Sequence, residues 1–346
     1  MIKLHSNQEI RVNKELMIDF NQPEIKCAMD AVRQAASMVQ QIQNETLATS
    51  LTKDDSSPVT IADFASQALV AACLLKYFPN DPLVAEEDAS ALCDPQKREI
   101  LEKVTRYVAE FIPKADPKRV CAWIDFGKAE PENRFWTLDP LDGTKGFLRN
   151  DQYAVALALI VNGRVQLGVL GCPKLNNAHL TEIGASGSLL IAVRGQGTWL
   201  TELCDPRKFN RLRVSGRDRL EQARLLRSFE RGHTNVDQIQ AFSKQLNNTI
   251  EPIGMDSQAK YALLASGHGD LLLRLLSPSK PDYREKIWDQ STGSLLVEEA
   301  GGQITDLDGK PLDFSTGRLL LNNRGILASN HLLHSAALEI LRTLHV

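Results

Sequence analysis

Hydrophobic positions along the chain change their period several times, and each change marks an element. From Pro23 the apolar residues Ile25, Ala28, Val32, Ala35, Val39 and Ile42 recur at helical spacing, which predicts an amphipathic helix over 23–44. A polar loop with Asp54, Asp55, Ser56 and Ser57 leads to Pro58, where a second helix is expected to open and run to about Phe78. Short apolar runs then predict strands at 83–85 and 120–124, with a mixed-charge helix over 95–111 between them. The run through Phe135 and Trp136 predicts a strand ending at Asp139, because Pro140 disfavours helix in the residue before it and breaks the run. Strands at 153–161 and 165–170 flank Asn162-Gly163, the signature of a tight hairpin, and 189–193 reads as another strand. Further on, strands are expected at 225–230, 250–255 and 271–276, with the first turn of a helix over 256–261. A helix from Ile287 to Glu299 is stopped by Ala300-Gly301-Gly302; strands near 303–305 and 326–329 and a last helix from about His331 close the chain. This alternation is α/β with mixed sheets, without internal repeat or low-complexity linker.

The length of 346 residues suggests two domains, and 43% hydrophobic residues suffice for a sizeable core. The basic run over 207–227 reads as the passage between them, dividing the chain into 1–206 and 207–346. Such a run is either a solvated face or a funnel for an anionic ligand. A net charge of −3 argues against bulk nucleic-acid binding. Six cysteines (27, 73, 93, 121, 172 and 204) form no Cys-x-x-Cys pair, which suggests reduced thiols in a cytoplasm. No signal-peptide core or membrane-length apolar run occurs, so no membrane partner is expected.

Candidate chemistry concentrates in Asp139-Pro140-Leu141-Asp142-Gly143-Thr144. Two carboxylates on a rigid turn suit a hard cation, and the amides beside Gly143 suit a phosphate; Asp and Gly are also plain turn formers. Asp63 stands three residues after Thr60, as in a capping box, and Glu86-Glu87-Asp88 is either a solvated loop or acids delivered by a buried strand. Arg274 sits among leucines; if its strand is central it needs an anion, from a protein carboxylate or a ligand phosphate. Asp289 is either a site residue or an N-cap.

Taken together, Ala62-Asp63, Glu86-Glu87, the Asp139–Thr144 run, Trp288-Asp289 and Glu299-Ala300-Gly301-Gly302 resemble the lithium-sensitive, magnesium-dependent superfamily of inositol monophosphatase and fructose-1,6-bisphosphatase. Within it the chain is most similar to the 3′(2′),5′-bisphosphate nucleotidases. Carrying this are Ser57-Pro58-Val59-Thr60, the run from Thr144 to Arg149, Asp151-Gln152-Tyr153-Ala154, the run from Asp256 to Tyr261, and Glu285-Lys286-Ile287-Trp288-Asp289. The resemblance spans roughly 23–330. It implies a layered αβαβα fold, an α+β domain followed by a smaller α/β domain. It implies two or three Mg²⁺ ions held by Glu86, Asp139, the Leu141 carbonyl, Asp142 and Asp289, and water activation by Asp63 and Thr144. Substrate contacts are implied for Thr144, His233, Ser257, Lys260, Arg274 and Asp289. The implied activity is hydrolysis of the 3′-phosphate of adenosine 3′,5′-bisphosphate, with its sulfated form as a second candidate substrate, by a monomer; inositol polyphosphate 1-phosphatase is the nearest rival activity and a non-catalytic nucleotide sensor another. One departure stands out: many of these nucleotidases carry His after the Trp-Asp pair, followed by two small alanines. This chain has Gln290, Ser291 and Thr292, which bears on the substrate pocket.

Overall fold

The computed structural model describes residues 18–48, 57–92, 94, 97–181, 186–228, 235–277 and 280–346. In order these form α1 (Pro23–Ala48), α2 (Ser57–Tyr77), β1 (Leu83–Ala85), α3 (Arg98–Phe111), α4 (Pro117–Asp125), β2 (Arg134–Asp142), α5 (Thr144–Leu148), β3 (Ala154–Val161), β4 (Arg164–Cys172), β5 (Leu175–Asn176), β6 (Leu180–Thr181), β7 (Ser188–Val193), β8 (Gly197–Glu202) and β9 (Asn210–Arg211). Then come β10 (Leu225–Arg227), α6 (Val236–Gln245), β11 (Ile253–Gly254), α7 (Ala259–Ala265), β12 (Leu271–Arg274), α8 (Ile287–Glu299), β13 (Gln303–Thr305), β14 (Ile326–Ser329) and α9 (His334–Thr343). Among the described residues no helix is long and apolar enough to cross a membrane.

A seven-stranded sheet runs β1-β2-β3-β4-β7-β8-β9, antiparallel except for the β1–β2 pair; a five-stranded sheet runs β11-β10-β12-β14-β13. Alternation along β3 shows why they stack. Val155, Leu157 and Leu159 join the core under α1 and α2, while Ala154, Ala156 and Ala158 join the core shared with α7 and α8. Small residues on that second face let α8 lie close: a Cβ on Gly168 would come within 3.3 Å of the Thr292 backbone. The far side of α7 and α8 meets Leu226, Leu272, Ile304 and Ala328 of the second sheet, whose outer face packs on α6 and α9. The layers are therefore αβαβα, as expected. β9 still pairs with β8, so the first sheet extends to Arg211.

One element differs in kind from its expectation: 120–124 is helix, not strand. Asp116 accepts the Arg119 amide at 2.9 Å and Pro117 opens the first turn, so a strong start signal lies just upstream of the apolar run. Val120 and Ile124, four apart, form its buried stripe. In the basic run, Arg217 and Arg224 pair with the fully buried Asp270, Arg219 with Glu221, and Arg207 with Asp205. Arg217 and Arg224 thus tie the run to the start of β12, whereas Arg207 and Arg219 pair locally on the exposed surface.

The last helix is fastened by His334, whose ring nitrogens face Thr305 Oγ1 at 3.0 Å and Ser329 Oγ at 2.9 Å. Burial pushes its pKa from 6.5 down to about 4. The unfolded chain thus takes up the proton first as pH falls, so stability is full above 6.5 and declines from there toward 4. The melting temperature is expected to fall across that window more steeply in the parent than in His334→Gln; equal slopes would assign the acid sensitivity elsewhere.

Candidate active site

Two strand ends and two helices bring the acids together. β1 and β2 run parallel, so Glu86 leaves β1 beside Asp139. Asp139 and Asp142, three apart, would point to opposite faces of a regular strand. They do not, because β2 takes three steps between them where β3 takes two, from Ala156 to Ala154. This bulge falls at Pro140, which has no amide to donate, and turns both carboxylates and Leu141 toward one pocket. The strand therefore continues to Asp142 and does not end at Asp139. α8 supplies Asp289 as its third residue; its N-cap position is Lys286, so Asp289 is no cap.

The turns bearing these acids are tethered from behind. Ser66 Oγ donates to the Pro140 carbonyl at 2.8 Å, and Gln67 brackets Glu87, accepting from its amide at 3.0 Å and donating to its carbonyl at 2.6 Å. Arg318 donates to the Ala85 carbonyl at 2.5 Å and lies over the Trp288 ring, joining the end of β1 to the start of α8.

The pocket, about 340 Å³, is lined by Glu86, Asp139, Leu141, Asp142, Gly143, Thr144 and Asp289 on one side and by Ser257, Lys260 and Arg274 on another, with Lys145, Ser228, Asp256, Tyr283 and Lys286 completing it. Sequence reading had not singled out these last five. The Glu285-Lys286 dipeptide before Trp288 was the available signal for Lys286, whose Nζ lies 3.0 Å from Glu86 Oε1. Asp142 accepts the Gln258 amide at 2.6 Å. Ser257 donates to Gln152 at 2.6 Å, and Lys260 Nζ donates to the Ser257 carbonyl at 2.8 Å. Arg274 meets a protein carboxylate: its Nε lies 3.1 Å from Glu285 Oε1 and its Nη2 2.8 Å from Oε2. That grip uses two of five donors, so the protein carboxylate and a ligand phosphate are not exclusive alternatives.

Asp63 and Thr144, expected to act on water together, line different cavities. Thr144 Oγ1 donates to the Leu141 carbonyl at 3.4 Å. Asp63, inside α2 and not at its cap, opens with Glu87, Thr60 and Lys97 onto an adjoining cavity of about 240 Å³. Gln290, Ser291 and Thr292 are fully buried and do not line the pocket, so any effect of the departure there on the pocket is indirect. His233 lies outside the described residues.

Burial is the main force on Asp63, Glu87, Asp139, Asp142 and Asp289. It holds Asp139 well above the usual carboxylate range, reinforced by Asp142, Glu86, Asp289 and Asp63. Asp289 is likewise pushed up by burial against the pull of Arg274. Asp63 is raised by burial, then by Glu87 and Glu86, and Glu87 reaches about 7. Burial lowers Lys260 to about 8, with Asp142 working against it. Among the described residues no Lys or Arg forms an ion pair with Asp139, Asp142 or Asp289. Buried oxygen donors without a protein cation fit a hard divalent ion. No three His, Cys, Asp or Glu side chains among the described residues are drawn close enough to grip one. Like-charged carboxylates spread under repulsion of about 4 kcal/mol per pair at 4 Å and an effective dielectric near 20.

Gly143 closes the turn at φ +90°, and a Cβ there would come 2.8 Å from Ser257 Cβ. Gly143→Ala is therefore expected to lower both melting temperature and kcat/KM, the latter about tenfold or more, since left-handed backbone costs a non-glycine residue about 1–2 kcal/mol before any clash. An unaltered rate would show that Ser257 can yield without cost.

Comparison with known proteins agrees with this architecture. The inositol monophosphatase family matches residues 20–345. The 3′(2′),5′-bisphosphate nucleotidase of Schizosaccharomyces pombe is 40% identical over 324 residues, covering 88% of this chain and 91% of that protein. The nucleotidase of the same name from Oryza sativa is 40% identical over 335 residues, covering 91% and 92%. An IMPase from Thermotoga maritima superposes with a TM-score of 0.62 at 20% identity, covering 94% of this chain and 98% of that one, which speaks for the fold alone. The chain belongs to the inositol monophosphatase family.

Proposed function

We propose that this chain is a metal-dependent phosphoric monoester hydrolase, a 3′(2′),5′-bisphosphate nucleotidase that removes the 3′-phosphate of adenosine 3′,5′-bisphosphate to leave AMP. One observation carries the reading: a single pocket joins Asp139, Asp142 and Asp289, which have no ion-pair partner among the described residues, to a separate group of donors, Ser257, Lys260 and Arg274. A substrate with two phosphates uses both regions, one for transfer and one for holding. The names of the relatives, similar over nearly the whole chain, support the same substrate class. The substrate is a small molecule, met by a monomer.

Glu86, Asp139, the Leu141 carbonyl, Asp142 and Asp289 would hold Mg²⁺, with Glu86 exchanging Lys286 for the ion. Bound Mg²⁺ acidifies water and offsets charge on the phosphate and leaving oxygen. Asp63 takes the proton of the attacking water, and Thr144, on turning from the Leu141 carbonyl, orients it. The water attacks phosphorus in line, and the ribose 3′-oxygen leaves. Ser257, Lys260 and Arg274 hold the 5′-phosphate.

Phosphate release from adenosine 3′,5′-bisphosphate and inositol 1,4-bisphosphate, each with Mg²⁺ and with excess chelator, tests this. Turnover of the nucleotide, lost in chelator, is expected. Preference for the inositol compound would assign the rival phosphatase activity, and binding without turnover a sensor; turnover surviving in chelator would remove the metal from the mechanism.

A further inference from the structure

Arg274 reaches the pocket from β12, but what aims it lies outside the pocket. Glu285 is 5% exposed, and its carboxylate takes Arg274 on both oxygens. A buried ion pair holds its geometry only if further hydrogen bonds satisfy the remaining lone pairs. Gln290 supplies one: its Nε2 donates to Glu285 Oε2 at 2.7 Å. Its own Oε1 accepts the Tyr261 hydroxyl. The Glu285 carboxylate, which can only accept, settles the amide's orientation. A flipped amide would turn its oxygen toward the Glu285 carboxylate and its NH₂ toward the Tyr261 hydroxyl, with repulsion at the first contact. Tyr261 is itself fixed, since its ring lies so close to Gly293 that any Cβ there would collide with it. Gln290 and Tyr261 are both buried, and neither lines the pocket.

We infer that Gln290, locked by Tyr261, is a positioning residue that sets selectivity for substrates carrying the second phosphate, by holding Glu285 and through it the Arg274 guanidinium. The inference rests on the proposed role of Arg274 toward the 5′-phosphate. It adds that two residues without substrate contact tune that recognition. Losing a hydrogen bond to a charged group typically costs a factor of about ten or more, of which a bond acting through Glu285 passes on only part.

The test compares Gln290→Met and Tyr261→Phe with the parent on adenosine 3′,5′-bisphosphate and adenosine 3′-monophosphate, each with its melting temperature. KM for the bisphosphate is expected to rise about three- to tenfold in Gln290→Met and less in Tyr261→Phe, with kcat little changed. KM for the monophosphate should stay close to the parent value in both, which general damage to the fold would not produce. Proportional losses on both substrates, or no change on either, would overturn the inference. Arg274→Ala, measured alongside, separates the two levels. If it discriminates between the substrates while Gln290→Met does not, the brace falls and the 5′-phosphate reading stands. If Arg274→Ala fails to discriminate, that reading falls and takes the brace with it.

Discussion

Asp142→Asn is expected to lower phosphate release from adenosine 3′,5′-bisphosphate by at least about 10²–10³, because one charged metal ligand is worth several kcal/mol of transition-state stabilisation. The fold should survive. Asp142 holds the Gln258 amide at 2.6 Å through one carboxylate oxygen, and the Asn side chain keeps an oxygen for that bond. Without Mg²⁺ the variant should melt at or above the parent temperature, since burial works against the charged form of Asp142 more strongly than Lys260 and the Gln258 amide favour it. Added Mg²⁺ should raise the parent's melting temperature and raise the variant's less, by mass action on a weakened site. An active Asn variant, or equal Mg²⁺ shifts in both proteins, would remove Asp142 from the metal site.

For Arg274→Ala the expected loss depends on the substrate. Hydrogen bonds to charged groups are worth about 1.5–3 kcal/mol, so kcat/KM for the bisphosphate should fall roughly ten- to 150-fold. Adenosine 3′-monophosphate, with no 5′-phosphate to lose, should fall far less. Because the change leaves Glu285 buried without its cation, some loss of stability accompanies it. The double variant Arg274→Ala/Glu285→Gln removes that stranded charge and should recover stability without recovering the substrate contrast. Equal proportional losses on both substrates would make Arg274 purely a partner of Glu285.

Much of the architecture was legible in local pattern. The long periodic helices, the Asn162-Gly163 hairpin and the α8 run with its Gly-Gly stop depend on near neighbours in the chain, and they stand where the sequence places them. The αβαβα layering came through resemblance, and the alternation of Ala with Leu and Val along β3 explains it physically. The acids Glu86, Asp139, Asp142 and Asp289 on the pocket wall were also legible as short acidic motifs at strand and helix ends, whereas Ser228 and Tyr283 on the same wall were not. Residues 120–124 were misread because Val-Cys-Ala-Trp-Ile suits either period; the Asp116-Pro117 start signal decides for helix.

Only the tertiary structure decided how those acids face. A spacing of three puts Asp139 and Asp142 on opposite sides of a strand, and the bulge that reunites them is a count against their β3 partners Ala156 and Ala154, which come later in the chain. Nor could the sequence say whether Arg274 meets a carboxylate or a phosphate. That depends on Glu285 reaching across from another segment and on Gln290 and Tyr261 bracing it from two helices. Periodicity reports which side of an element is buried. Which groups meet there is set by register and packing between distant segments, and no local pattern encodes it.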